Sequence, residues 1–242
     1  MKCNARILRT SHAYGNIVMD AHSPSDLLSN SSYTAEGHTH KKENCNYNLK
    51  DFDKVVDVDS KPWIVTYTGK KYCLTDPDPG SIDVETIAHS LSLLCRFAGM
   101  TREFYSVGDH SLHVCDLLKD IYPDDYRLQL HGLIHDFTEG LGLMDCIRPL
   151  KELLPVYQDL EAKTKTAIYA AFDLLMPTDQ QEVQVKWADN TMLATEGRDL
   201  LNDGGYQLII IEQPRAEIVR PRHQTFVEQE IIAQYLRLRA LV

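Results

Sequence analysis

The stretch Leu130-His131-Gly132-Leu133-Ile134-His135-Asp136-Phe137-Thr138-Glu139-Gly140 holds the residues best suited to chemistry. His135 and Asp136 stand side by side, and Glu139 follows three residues later. Imidazole and carboxylate are good ligands for a hard or borderline divalent metal. A further carboxylate close by can handle a metal-bound water. Leu130, Leu133, Ile134 and Phe137 fall at i, i+3, i+4 and i+7, a spacing that predicts a helix. On that helix Glu139 shares a side with His135 and Asp136. Gly140 and Gly142 predict where it ends. The plain alternative is a capped, partly exposed helix end, so the reading turns on whether other elements supply further ligands.

The elements that must position these groups are mostly helical. Residues 63–67 and 71–74 flank Thr68-Gly69-Lys70 and predict a β-hairpin. Asp76-Pro77-Asp78-Pro79-Gly80 predicts a turn. A first helix is expected over 82–97, stopping at Gly99, with Ile87, Ala88, Leu91, Leu94 and Cys95 as its buried face. Arg96 would then sit near its C-terminal end, either complementing the helix dipole or contacting an anion or sugar. Ser106-Val107-Gly108-Asp109 has the spacing of a capping box, with Asp in place of Glu, and opens a second helix. His110 falls on the apolar stripe of Val107, Val114, Leu117 and Leu118, where a buried imidazole needs a partner. Pro123 is placed to start the third helix, which carries His135, Asp136 and Glu139. The loop behind it holds Asp145, Arg148, Pro149 and Lys151, a group that suits a phosphate or an ordinary surface equally. Helices are expected over 154–175, 177–201 and 226–241, with a short strand over 206–212 after Gly204-Gly205. Asp189 lies among Ala188, Met192 and Leu193, where a carboxylate is expensive without a positive partner. The sequence offers no obvious adjacent Lys or Arg on that face, so a metal is a reasonable partner.

Residues 1–60 differ from the rest. They are rich in Ser, Asn, His and Asp, and predict an irregular arm of loops, with short strands at 6–8 and 16–19. Their histidines and cysteines show no ligand-like spacing. The formal net charge of −10 argues against a general nucleic-acid or membrane-surface binder. It leaves room for a small anionic substrate, because a bound metal reverses the local sign. The six cysteines have no CxxC spacing and predict neither a disulfide framework nor a zinc finger. No apolar run reaches the roughly 18 residues of a membrane span, and no signal-peptide core is present. A cytoplasmic protein is expected.

Three helices thus each offer an unusual polar group: His110, His135-Asp136 and Asp189. This order resembles the H…HD…D motif of the HD-domain metal-dependent phosphohydrolases. Arg96-Phe97-Ala98-Gly99, Phe104 to Ser111, His135 to Glu139, Arg148-Pro149-Leu150-Lys151 and Ala188-Asp189 are similar to the branch holding bacterial 5′-deoxynucleotidases and phage dATP triphosphohydrolases. The resemblance covers about residues 62–202. It implies a mainly α fold, an HD-domain helical bundle over 61–242 with a small β-hairpin, preceded by the arm over 1–60. It implies His110, His135, Asp136 and Asp189 as ligands of one divalent ion (Co, Mn, Zn or Mg), with additional Mg accompanying a triphosphate. Glu139 matches the acidic residue that positions or deprotonates the attacking water, and Asp145 an acidic residue that assists. Arg96 and Phe97 match positions near the sugar and phosphate, and Lys151 a lysine that reaches phosphate. Phe97 stands where some members have Trp, and the loop from Glu139 to Asp145 is one residue longer than the pattern. The implied activity is hydrolysis of 2′-deoxynucleotide phosphate esters, with release of triphosphate from a dNTP such as dATP as the leading expectation. Release of orthophosphate from a dNMP and a non-catalytic nucleotide sensor are the alternatives. The implied partner is a small deoxynucleotide, in a homo-oligomer.

Overall fold

The computed structural model describes residues 61–202 and 212–242. Among these the fold is mainly helical, with seven α-helices and one two-stranded antiparallel hairpin. The strands are β1 (Trp63–Val65) and β2 (Lys71–Cys73), paired Trp63 with Cys73 and Val65 with Lys71. The turn between them needs a left-handed residue, and Gly69 supplies it at φ +83. The arm, its two expected strands and nearly all of 206–212 lie outside the described residues.

Helix α1 (Val84–Leu93) starts on Asp83, whose side chain accepts from the Thr86 amide. It ends earlier than the sequence suggested. Leu94 and Cys95 are extended, and Cys95 bridges Ser106. Cys95 is therefore exposed, not part of a buried helical face. Arg96 lies in the short 3₁₀ turn Arg96–Gly99 and caps no helix.

Helix α2 (Val107–Ile121) is capped by Ser106, which accepts from the Asp109 amide. Only half of the expected capping box forms. The Asp109 carboxylate accepts instead from the Arg222 backbone and guanidinium. Helix α3 (Tyr126–Ile134) starts on Asp125 rather than at Pro123, because the Asp125 carboxylate accepts from the Leu128 amide. It also ends before the motif. From Ile134 onward the backbone tightens to i→i+3 bonds, ending in a 3₁₀ helix, Glu139–Leu141. At three residues per turn Glu139 still returns over Asp136, so the expected side is kept by a different helix type.

Helix α4 (Arg148–Lys151) is a single turn, α5 spans Pro155–Ala171, α6 Asp179–Leu200 and α7 Gln224–Arg239. Thr178 and Gln181 form a full capping box at the start of α6. On α5, Thr164 and Ile168 are buried, whereas Tyr157, Leu160 and Ala171 are only partly so.

Two apolar clusters hold the helices together. One includes Ile87, Leu91, Leu130, Leu133, Phe137 and Ile231, and the other Tyr105, Val114, Leu118, Leu128, Ala188 and Met192. Helices α2 and α3 contribute to both, which fixes His110 and His135 between the clusters.

Candidate metal centre

His110 is fully buried on α2. Its Nδ1 lies 2.6 Å from Glu196 Oε1, and Glu196 is itself fully buried on α6. That carboxylate is held down to about 2. Burial opposes its ionisation, but Arg96 and His110 outweigh burial. An ionised carboxylate only accepts, so His110 Nδ1 carries the proton and donates it. His135 follows the last residue of α3, and its Nδ1 donates to the Gly132 carbonyl at 2.7 Å. Both rings therefore turn Nε2 inward, and the two Nε2 atoms are 3.3 Å apart. A protein or backbone acceptor on the far nitrogen is how ligand histidines are oriented.

Asp136 Oδ2 lies 3.2 Å from His135 Nε2 and 3.8 Å from His110 Nε2. Donor atoms of His110, His135 and Asp136 all fall within 4.8 Å of one another, so this cluster could hold a metal ion. Asp189 Oδ1 joins it at 3.2 Å from His110 Nε2. The Asp189 Oδ2 oxygen meets Lys186 at 2.6 Å, and the Arg96 guanidinium stands 3.7 Å from Oδ1. The sequence expectation of a carboxylate with no cation on its face is thus corrected. Lys186, one turn earlier on α6, caps the outer oxygen, and Arg96 approaches from the 3₁₀ turn.

Arg96 is buried and donates from Nε to Glu196 Oε2 at 2.8 Å. Its other two nitrogens lie 3.8 Å from Asp136 and 3.7 Å from Asp189. Tyr105 OH donates to Glu196 Oε1 at 2.8 Å. Phe97 packs its ring against the Arg96 guanidinium, 5.3 Å from ring centre to Cζ. Phe97 and Ala98 both adopt left-handed backbone, at φ 57 and 51, which non-glycine residues seldom do. Such strain persists only where the surroundings hold it. Here the Arg96 amide bonds the Tyr105 carbonyl at 2.9 Å, and the Met100 amide bonds the Phe97 carbonyl at 3.0 Å.

The electrostatics follow from this packing. Asp136 and Asp189 are held well below the usual carboxylate range. Burial opposes that, but the histidines win in both cases. Burial and Arg96 push His110 down, yet Glu196 and Asp189 raise it to about 9. Three low carboxylates (Asp136, Asp189, Glu196) against one guanidinium leave an interior balance of −2, with Lys186 at the exposed rim. A proton on His110 partly meets that demand, and a divalent cation would meet it fully.

Glu139 behaves oppositely. Burial first, then the charges of Asp136 and Asp145, push it well above the ordinary value. Its Oε2 is buried and has no hydrogen-bond partner. Asp145 is also raised, by burial first and then by Asp136. Lys151 is engaged by Glu161 and lies 5.3 Å over the Tyr157 ring, although its charge reaches Glu139. The structure thus gathers Arg96, Phe97, His110, His135, Asp136, Glu139, Asp145 and Asp189, and leaves Lys151 paired at a distance. Sequence reasoning missed Glu196, Tyr105 and Lys186. Glu196 had a readable signal, since it follows Asp189 by seven residues on one helix face.

A cavity of about 370 Å³ opens beside His135, Asp136 and Asp189 and runs toward His131, Tyr169 and Lys165. No helix of the described residues is long and apolar enough to cross a membrane.

No protein-family model matches the chain. The uncharacterized protein RCAP_rcc00048 of Rhodobacter capsulatus is 34% identical over 118 residues, which cover 47% of this chain and 60% of that protein. The uncharacterized protein YfdR of Escherichia coli K12 is 36% identical over 157 residues, which cover 64% of this chain and 83% of that protein. With that identity sustained over most of the Escherichia coli protein, the chain belongs to the family of YfdR.

Proposed function

We propose that this protein is an HD-type, metal-dependent phosphohydrolase acting on 2′-deoxynucleotides. The observation that carries the reading is Glu139, a buried carboxyl with an unpartnered oxygen beside converging donor atoms. His110, His135, Asp136 and Asp189 are the residues that would hold the ion. When bound, a divalent ion would neutralise phosphate oxygens and lower the pKa of a coordinated water. Glu139 would orient that water and take its proton, because a neighbouring cation favours its ionised form and its free oxygen needs a donor. The terminal nitrogens of Arg96 face the same space and would meet the phosphoryl charge. Asp145, whose charge acts on Glu139, would assist it, and Phe97, packed on the Arg96 guanidinium, would form the wall against the sugar.

The resemblance in sequence leans to a dNTP and release of triphosphate. Ion pairing favours a dNMP and release of orthophosphate. Lys186 is engaged by Asp189 and Lys151 by Glu161, which leaves the terminal nitrogens of Arg96 for a single phosphoryl group. A triphosphate tail would meet few uncommitted cations among the described residues.

The test is a panel of dNMPs, dNTPs and ribonucleotides with Mn, Co, Mg and Zn, the products being resolved by chromatography. Orthophosphate from a dNMP is expected, and triphosphate from a dNTP would support the other substrate. Glu139→Gln should retain the metal and lose about 10²- to 10⁴-fold in rate. No turnover with any metal would sink the reading, and full rate in Glu139→Gln would remove its role.

A further inference from the structure

His131 lies on α3 one turn before His135 and lines the cavity beside the metal centre. It is only 3% exposed. Its Nδ1 meets Tyr169 OH at 3.0 Å, and the two rings stack at 5.7 Å between centroids. Its Nε2 is buried and has no partner. An unsatisfied buried ring nitrogen is costly and rare in a folded protein. Burial first, with help from Arg127, holds the imidazole down to about 4, so the ring is neutral at ordinary pH. It is a hydrogen-bonding group that does not prefer an anion.

Both lysines that line this cavity are already paired, and Asp136 and Asp189 at its inner end belong to the candidate metal centre. Lys165 pairs with Glu182 at 2.8 Å, and Lys186 with Asp189 at 2.6 Å. Ile134, Val185 and Pro177 supply apolar wall. The volume of about 370 Å³ is at the small end for a ligand site. Such a chamber is poor for phosphates and good for a flat, uncharged ring with polar edges.

Resting on the phosphohydrolase reading, we propose that this cavity receives the nucleobase of the substrate, and that His131, held by Tyr169, reads the base edge through Nε2. The metal centre and Arg96 then take the phosphate end, and the sugar spans between them. His131 is a specificity residue in this assignment and takes no part in the bond-breaking step.

Two substitutions isolate the nitrogen. His131→Asn keeps a polar atom near the Nδ1 position for Tyr169 and removes Nε2. His131→Gln places an amide near the Nε2 position. The first readout is kcat/KM for each dNMP relative to 2-deoxyribose 5-phosphate, which lacks a base. His131→Asn should lower that ratio about fivefold for the preferred base, as expected for one lost neutral hydrogen bond, and His131→Gln should restore part of it. The second readout is calorimetric binding of 2′-deoxyadenosine, 2′-deoxyguanosine, 2′-deoxycytidine and thymidine, which needs no turnover. The best-bound nucleoside should bind about fivefold more weakly to His131→Asn. An equal loss with and without the base, or no nucleoside binding to the natural chain, overturns the proposal. Nucleoside binding that is weakened in His131→Asn while nothing is hydrolysed keeps the base site and removes the hydrolase reading.

Discussion

Glu196 shows how much a single buried carboxylate can decide. It accepts from His110 Nδ1, Arg96 Nε and Tyr105 OH. It sets the tautomer of one candidate ligand and the position of the guanidinium at once. Glu196→Gln keeps the shape but can donate where His110 also donates. Metal affinity measured by titration calorimetry should fall about 10- to 100-fold, with the fold preserved in the circular dichroism spectrum. Unchanged affinity would mean that His110 is oriented without it. His110, His135, Asp136 and Asp189 were legible in the sequence because each is a polar residue on or beside an apolar stripe. Glu196 obeys the same rule seven residues beyond Asp189. Its partner Arg96 is a hundred residues away, and no periodicity gives the register between a 3₁₀ turn and a distant helix.

Helix existence was legible, and helix ends were less so. The hairpin, the helix after Ser106 and the terminal helix follow from turn chemistry, capping and 3.6-residue spacing. The boundaries at Leu93 and Ile134 were missed because apolar spacing continues past them, while local hydrogen bonding switches to bridge and 3₁₀ geometry. The interior fit of α2 gives a prediction at this scale. A Cβ on Gly108 would come within 2.9 Å of Val227 and Ile231 side chains on α7 and 3.1 Å of the Leu91 backbone on α1. The first two can yield, but the backbone cannot without moving a helix. Gly108→Ala should cost about 1 to 3 kcal/mol in urea unfolding, despite alanine's better helix propensity. A gain in stability would show that α1 gives way more readily than this packing implies.

At the scale of the molecule, the described residues hold two neutral histidines outside the candidate metal centre, His131 buried and His113 partly buried. His113 is held down to about 4 by burial first and then by Arg222, and His131 to about 4 by burial first and then by Arg127. The unfolded chain protonates both as pH falls through about 6.5, while the folded chain resists until about 4. The unfolded state therefore binds more protons in that window, and stability drops as pH falls from about 6.5 to 4. The loss is on the order of 2 kcal/mol for each histidine. Urea midpoints measured across that range should decline for the natural chain and decline less for His131→Asn. Parallel profiles would place the acid sensitivity elsewhere.

The link between Arg96 and Glu196 also orders events during synthesis. His110, His135 and Asp136 leave the ribosome well before residue 196 does. Until α6 is made, His110 has no carboxylate to fix its proton and Arg96 has no anion to neutralise it. A nascent chain thus carries candidate ligands without a finished cradle, and a metal meeting it then would find loose imidazoles in place of two aimed nitrogens. If the cluster holds a metal, the long-range pair would make its loading a late event, tied to completion of the helix that also brings Asp189.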